Sequence, residues 1–197
     1  MAETPSTMIL EPGDRAPDFT LPDGAGNRFS LSEIAGGGTA LVVAFVCNHC
    51  PFVIHLAEEF TKFVEDYEPE GVRFVAINSN DVENYPDDSP EKMVEFAEKY
   101  GWNFPYLYDE DQEVAKLYSA ACTPDFYIFD GDLRLTYRGQ FDDSRPRGDR
   151  SKKEITGDDM RYALDQTIEG EPLGGAMFPS TGCNIKWKAG NEPAYFG

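Results

Sequence analysis

The chain has 197 residues, with 36 Asp and Glu against 17 Lys and Arg, for a formal net charge of -19. That length suits one domain with a full core. The acids are spread along the chain rather than gathered in a tail. Such a field repels nucleic acid and anionic membranes, so neither is an expected partner. It reads as a solvated, self-repelling surface or as an adaptation to high salt, where screening removes the repulsion.

Four cysteines are too few for a disulfide scaffold in a chain this long. Met1 to Leu10 has neither a basic nor an apolar signal region, and no apolar run approaches a membrane span. A cytoplasmic location is therefore expected. In that compartment a close cysteine pair is more often catalytic or metal-binding than structural.

In chain order, residues 1–12 read as a flexible leader, 13–188 as one domain and 189–197 as a tail. Asp23-Gly24 and Gly26-Asn27 mark a turn before the short strand Arg28 to Leu31. Ala40 to Val46 is an apolar run of buried-strand character. After it, Leu56, Phe60, Phe63, Val64 and Tyr67 recur at helical spacing. Val72 to Asn78 is the next strand. Ser89 and Pro90 predict the N-cap and first residue of a helix that Gly101 ends. Phe104 to Tyr108 predicts an edge strand, Asp111 to Tyr118 a short helix, and Phe126 to Arg138 a hairpin around Asp130-Gly131. Thr156 is the expected N-cap of a last helix, and Glu171 to Gly197 an irregular stretch whose aromatics need something to pack on.

The chemistry centres on Cys47-Asn48-His49-Cys50-Pro51. At the start of a helix, positions i and i+3 share a side, so the two sulfurs can meet. Unpaired N–H groups and the helix dipole there favour a thiolate. Cys47, nearer the open end, is the expected nucleophile and Cys50 the resolving thiol. The His49 imidazolium is expected to stabilise the Cys47 thiolate. The alternatives are reduced core cysteines or a metal-binding or redox-sensing module using Cys47, His49 and Cys50, with Cys122 a candidate further member. A closed zinc site needs a fourth ligand and there is no second CxxC, so no metal and no cofactor is expected. The Thr123–Pro124 amide is a candidate cis peptide beside the pair, and Thr123 and Pro124 are the expected backbone edge for an extended substrate. Cys122 and Cys183 are candidates for additional redox thiols, alone or paired with each other, against a plain packing role. His55 is expected at the surface, and Lys186 and Lys188 beside local carboxylates.

Together, Gly13-Asp14-Arg15-Ala16-Pro17-Asp18-Phe19, the Cys47 to Val53 segment, Cys122-Thr123-Pro124-Asp125-Phe126 and Gly182 to Lys188 resemble the redoxin (AhpC/TSA) branch of the thioredoxin-like superfamily, and within it a peroxiredoxin-like group. The resemblance covers roughly residues 11–188. It implies a thioredoxin fold: α/β, with a central mixed β-sheet flanked by helices, an N-terminal β extension and an irregular C-terminal tail. It also implies thiol-disulfide or peroxide chemistry and Pro124 as the cis-proline. Thioredoxins carry a Trp and a buried Asp where this chain has Val46 and Leu41, and peroxiredoxins a Thr or Ser where it has Ala44. The expected function is a thiol-disulfide oxidoreductase acting on a protein disulfide, with a thiol peroxidase as the alternative. A thioredoxin-type or low-molecular-weight thiol is the expected reductant, and the protein is expected as a monomer or homodimer.

Overall fold

The structure, a computed structural model, describes residues 3–196. Its centre is a five-stranded mixed sheet. The apolar run predicted as the core strand is β4 (Ala40–Phe45), buried at every residue. It pairs in parallel with β5 (Val72–Asn78), which pairs in parallel with β6 (Tyr106–Tyr108). On its other side β4 pairs antiparallel with β8 (Asp125–Asp130), and β8 with β9 (Leu135–Gly139). The order is thus β6-β5-β4-β8-β9, the sheet of the thioredoxin fold.

Alternation along β4 divides the core between the two faces. Val42 and Ala44 meet α2 (Pro51–Tyr67), α3 (Pro90–Tyr100) and α5 (Asp158–Glu169) through Phe60, Phe63, Val64, Met93, Phe96, Met160 and Leu164. Leu41, Val43 and Phe45 meet α1 (Leu31–Ala35) and α4 (Glu113–Leu117) through Leu31, Val114 and Ala115, with Tyr118 and Tyr127 alongside. Strands β2 (Thr20–Pro22) and β3 (Arg28–Ser30) form the predicted early hairpin. Among the described residues no helix is long and apolar enough to cross a membrane.

Both ends of the chain differ from the sequence reading. Glu3–Pro5 is a strand, β1, not loose leader, and Thr181–Asn184 in the supposedly irregular tail is β10. They pair with each other, and β10 also pairs with β7 (Cys122–Thr123), giving a small sheet ordered β1-β10-β7. Trp187 and Tyr195 pack into the second core, with ring centroids 6.4 Å apart, so the last residues are not a separate tail. Phe196 is exposed. Thr156 stands one residue before the N-cap of α5. That cap is Gly157, in the left-handed region at φ 68°, with the Phe141 ring packed where a Cβ would sit.

Two buried carboxylates set a pH dependence of stability. Asp125 is fully buried, 3.8 Å from the Arg138 guanidinium, and burial pushes its pKa up to about 7. Asp109 accepts from Ser79 Oγ at 2.7 Å and from the Ala115 N–H at 2.9 Å, yet burial still lifts it to about 6. A carboxyl with a raised folded-state pKa holds a proton that the unfolded chain has released. Stability therefore falls as pH rises from about 4 towards 7. We expect the protein to be roughly 1–3 kcal/mol more stable at pH 5 than at pH 8, read by urea denaturation at the two pH values. Equal stability, or greater stability at pH 8, would contradict this.

Candidate redox site

The site lies where β4 hands over to α2. The Val46 N–H bonds Ile77 O at 2.9 Å, and the chain then leaves the sheet. Proline suits the first helical position, where its missing donor costs nothing. Pro51 therefore starts α2 and Cys50 becomes its N-cap. Cys47 sits three residues earlier, in the loop and outside the helix.

Thr123 joins the two sulfurs. Cys50 Sγ donates to Thr123 O at 3.1 Å, and Cys47 Sγ lies 3.5 Å from Thr123 Oγ1. The Thr123–Pro124 peptide is cis. Both cysteines are buried, at 1% and 0% exposure. This corrects the expected picture of an open Cys47. Burial, a hydrogen bond with Cys50 and the Asp88 charge push the Cys47 thiol well above its usual value. Cys50 is lowered: hydrogen bonds from Cys183 and Cys47 come first, with the Val53 N–H of the first helical turn adding to them against burial. The thiolate-favouring end of the helix thus serves Cys50 rather than Cys47.

His49 is likewise placed differently from the expectation that it simply tunes Cys47. Its Nδ1 lies 2.7 Å from Asp88 Oδ2. That bond raises the imidazole pKa, against opposition from burial. Its ring stacks on Tyr85 at 5.8 Å, and Lys186 Nζ lies 5.6 Å from the centre of the Tyr85 ring. The Asp88 carboxyl group and the His49 ring it holds therefore lie beside Cys47 together. Asp88 is the residue that sequence reasoning missed. Fully buried, it also accepts from the Asn48 N–H at 2.8 Å, the His49 N–H at 3.2 Å and Asn80 Nδ2 at 2.8 Å. Asn78 Nδ2 holds its backbone carbonyl at 2.7 Å, and Tyr106 OH bonds Asn48 Oδ1 at 2.9 Å. The loop before α3 thus clamps the cysteine loop. Its density of Asn and Asp just after an apolar strand was the available signal.

Cys47 Sγ, a His49 ring nitrogen and an Asp88 oxygen lie within 4.8 Å of one another, the donor set a cation would use. The Asp88 oxygens are already taken up by four nitrogen donors, so a metal would have to displace these.

The other expected residues divide. Cys183, in β10, stands opposite Thr123 in the strand pairing, and Asn184 opposite Cys122. Side chains alternate along a strand, so Thr123 and Cys183 share one face while Cys122 projects from the other. A Cys122–Cys183 disulfide does not fit this register. Cys122 is fully buried and donates to Pro124 O at 3.6 Å, and burial raises its pKa well above the usual value. The Thr123 edge expected to receive an extended substrate is taken by the chain's own β10. His55 is half-buried, with Nε2 3.1 Å from Ser144 Oγ. Lys186 donates to Asn184 O at 3.1 Å and Oδ1 at 3.0 Å rather than to a carboxylate.

A paired-cysteine loop on a thioredoxin sheet, beside a cis-proline, defines a thioredoxin-fold redox protein. The model of the AhpC/TSA family matches residues 12–138, and the chain belongs to that family. Peroxiredoxin Bcp of Escherichia coli strain K12 is 29% identical over 130 residues, covering 65% of this chain and 78% of that protein. Thiol-disulfide oxidoreductase ResA of Geobacillus kaustophilus is 30% identical over 130 residues, covering 64% of this chain and 69% of that protein. The crystal structure of an uncharacterized conserved protein from Geobacillus kaustophilus is 52% identical, with a TM-score of 0.89 over 95% of this chain and 97% of that one. The protein is accordingly a cysteine-based oxidoreductase of the redoxin class, as its cysteine pair and opening motif led one to expect.

Proposed function

We propose that the protein is a thiol-disulfide oxidoreductase that cycles Cys47 and Cys50 between dithiol and disulfide. One observation carries this reading: both sulfurs converge on Thr123, Cys47 Sγ lying 3.5 Å from its Oγ1 and Cys50 Sγ 3.1 Å from its carbonyl oxygen. Each of the two sulfurs acts on the ionisation of the other, so the one that attacks can pass its proton to its partner. Cys47 attacks a substrate disulfide, forming a mixed disulfide and releasing one substrate thiolate. Cys50 then attacks Cys47 Sγ, forming the Cys47–Cys50 disulfide and releasing the second thiolate. Two electrons have passed to the substrate. A thioredoxin-type protein or a low-molecular-weight thiol returns them. The cytoplasm, where thiols are kept reduced, suits this cycle.

A second reading is favoured by occlusion. The sulfurs are buried and the Thr123 edge is occupied, an arrangement that fits a peroxide better than an extended peptide. In that case Cys47 attacks the O–O bond, an alcohol or water leaves, and Cys50 displaces water from the sulfenic acid to form the same disulfide.

Insulin-disulfide reduction and peroxide consumption, measured on wild type, Cys47→Ser and Cys50→Ser, test both. Cys47→Ser is expected to lose at least ~10³-fold of whichever activity is native. Retention of wild-type rates by Cys47→Ser would overturn both readings, and peroxide consumption without insulin reduction selects the second.

A further inference from the structure

We infer that Cys183 is a third redox thiol, which takes over the Cys47–Cys50 disulfide by attacking Cys50 and so resets Cys47. The inference rests on the dithiol reading above. It begins with the small sheet. β10 lies antiparallel on the Cys122–Thr123 edge with Cys183 directly opposite Thr123, the residue whose hydroxyl and carbonyl meet the two active-site sulfurs. The shared face of Thr123 and Cys183 delivers the third sulfur to the second. Cys183 and Cys50 are close enough to shift each other's ionisation, and both belong to the core that also holds Cys47.

The strand that brings Cys183 there is fixed at both ends. The Ser6 N–H bonds Ser180 O at 2.9 Å, and the Ile185 N–H bonds Ala121 O at 3.1 Å. β1 pairs along its outer edge, with Glu3 opposite Cys183. Gly182 lets the strand lie against Thr123, because a Cβ there would overlap the Thr123 carbonyl oxygen. Cys183 is 3% exposed, so it is a held component of the site and not a surface thiol. Cys50 and burial hold the Cys183 thiol well above its usual value, with the Lys186 and Arg147 charges opposing them; once Cys50 is in the disulfide, its share of that effect is gone.

Among the three sulfurs Cys50 is the hub, the one on which both of the others act. Exchange therefore proceeds through it. The Cys183 thiolate attacks Cys50 Sγ, the Cys50–Cys183 bond forms, and Cys47 leaves as a thiolate. The proton released by Cys183 goes to Cys47, whose surroundings favour the thiol. One disulfide is broken and one is made, so no outside oxidant or reductant enters this step. Cys47 is free for a second substrate while the oxidising equivalent waits beside β1.

The test is disulfide mapping on the full chain. Wild type and Cys47→Ser are treated with one equivalent of diamide, quenched in acid, alkylated and digested for mass spectrometry. The expected result is both Cys47–Cys50 and Cys50–Cys183 peptides from wild type. Cys47→Ser is expected to lose both remaining site thiols from alkylation as a Cys50–Cys183 pair. Cys47→Ala replaces it if the serine variant does not fold, and the wild-type map stands without either. Only Cys47–Cys50 in wild type, with Cys50 and Cys183 fully alkylated in the variant, overturns the role of Cys183 and leaves the dithiol reading intact. No Cys47–Cys50 peptide in wild type overturns that reading, and the exchange with it.

Discussion

Gly182→Ala is expected to destabilise the protein by about 2–4 kcal/mol and to expose Cys183 to alkylation, with little change elsewhere in the sheet. The added Cβ would overlap Thr123 O, sit 2.7 Å from Thr123 C and 3.2 Å from Pro124 N. All three are backbone atoms, so no side chain can swing aside. Either β7 or β10 must move. β7 is tied to β8, inside the central sheet, whereas β10 lies outside it, in the small sheet with β7 and β1. β10 is therefore the strand that lifts, and its hydrogen bonds to β7 are lost with it. The thermal midpoint should fall by roughly 5–10 °C. Cys183 should label with iodoacetamide before the global transition, as expected for a locally opened segment. A midpoint within about 1 °C of wild type would show that β10 does not rest on Thr123 in this way.

That strand also shows where sequence reading stops. β4 and α2 were legible because each buries a patterned apolar surface: Ala40 to Val46 as a continuous run, and Phe60, Phe63, Val64 and Tyr67 at helical spacing. Thr123-Pro124 was legible as a candidate cis peptide from chemistry alone. β1 and β10, with the sequences ETP and TGCN, have no such pattern. They are strands because their backbones find partners, and nothing local records which partners those are. The same holds for Asp88, which acts on His49 from 39 residues away. The electrostatics of the cysteine pair escape the sequence reading for a different reason. Pro51 marks the first helical residue, and hence Cys50 as the N-cap, so the helix end belongs to Cys50 and not to Cys47. The signal is present and points one turn further along the chain. Cys183 lies between these cases: its type marks it as a candidate, and only the register of β10 against β7 assigns it to the Cys50 side rather than to Cys122.

Asp88→Asn is the variant expected to disturb the site most without touching a sulfur. The buried carboxylate accepts four hydrogen bonds, from the Asn48 and His49 N–H groups, His49 Nδ1 and Asn80 Nδ2. An asparagine of the same shape keeps one acceptor oxygen and turns an NH₂ group towards two of those donors. Leaving buried donors unpaired, with loss of the ion pair, should cost about 3–5 kcal/mol. The sign of the His49 effect follows from its partner. Asp88 raises the His49 pKa, so the pair stabilises the fold fully below the ordinary imidazole range and loses that contribution as pH rises through the folded value. The substitution would remove this, bringing the His49 titration down and flattening the matching part of the stability profile. Cys47 should move the same way, because the Asp88 charge is one of the causes that raise it. Imidazole NMR titration and the pH dependence of Cys47 alkylation, run on wild type and Asp88→Asn, read both shifts. A lowered His49 pKa with unchanged Cys47 reactivity would mean that Asp88 acts only as a clamp on the loop. Lower values at both residues would make it a positioning residue that also holds Cys47 protonated between turnovers.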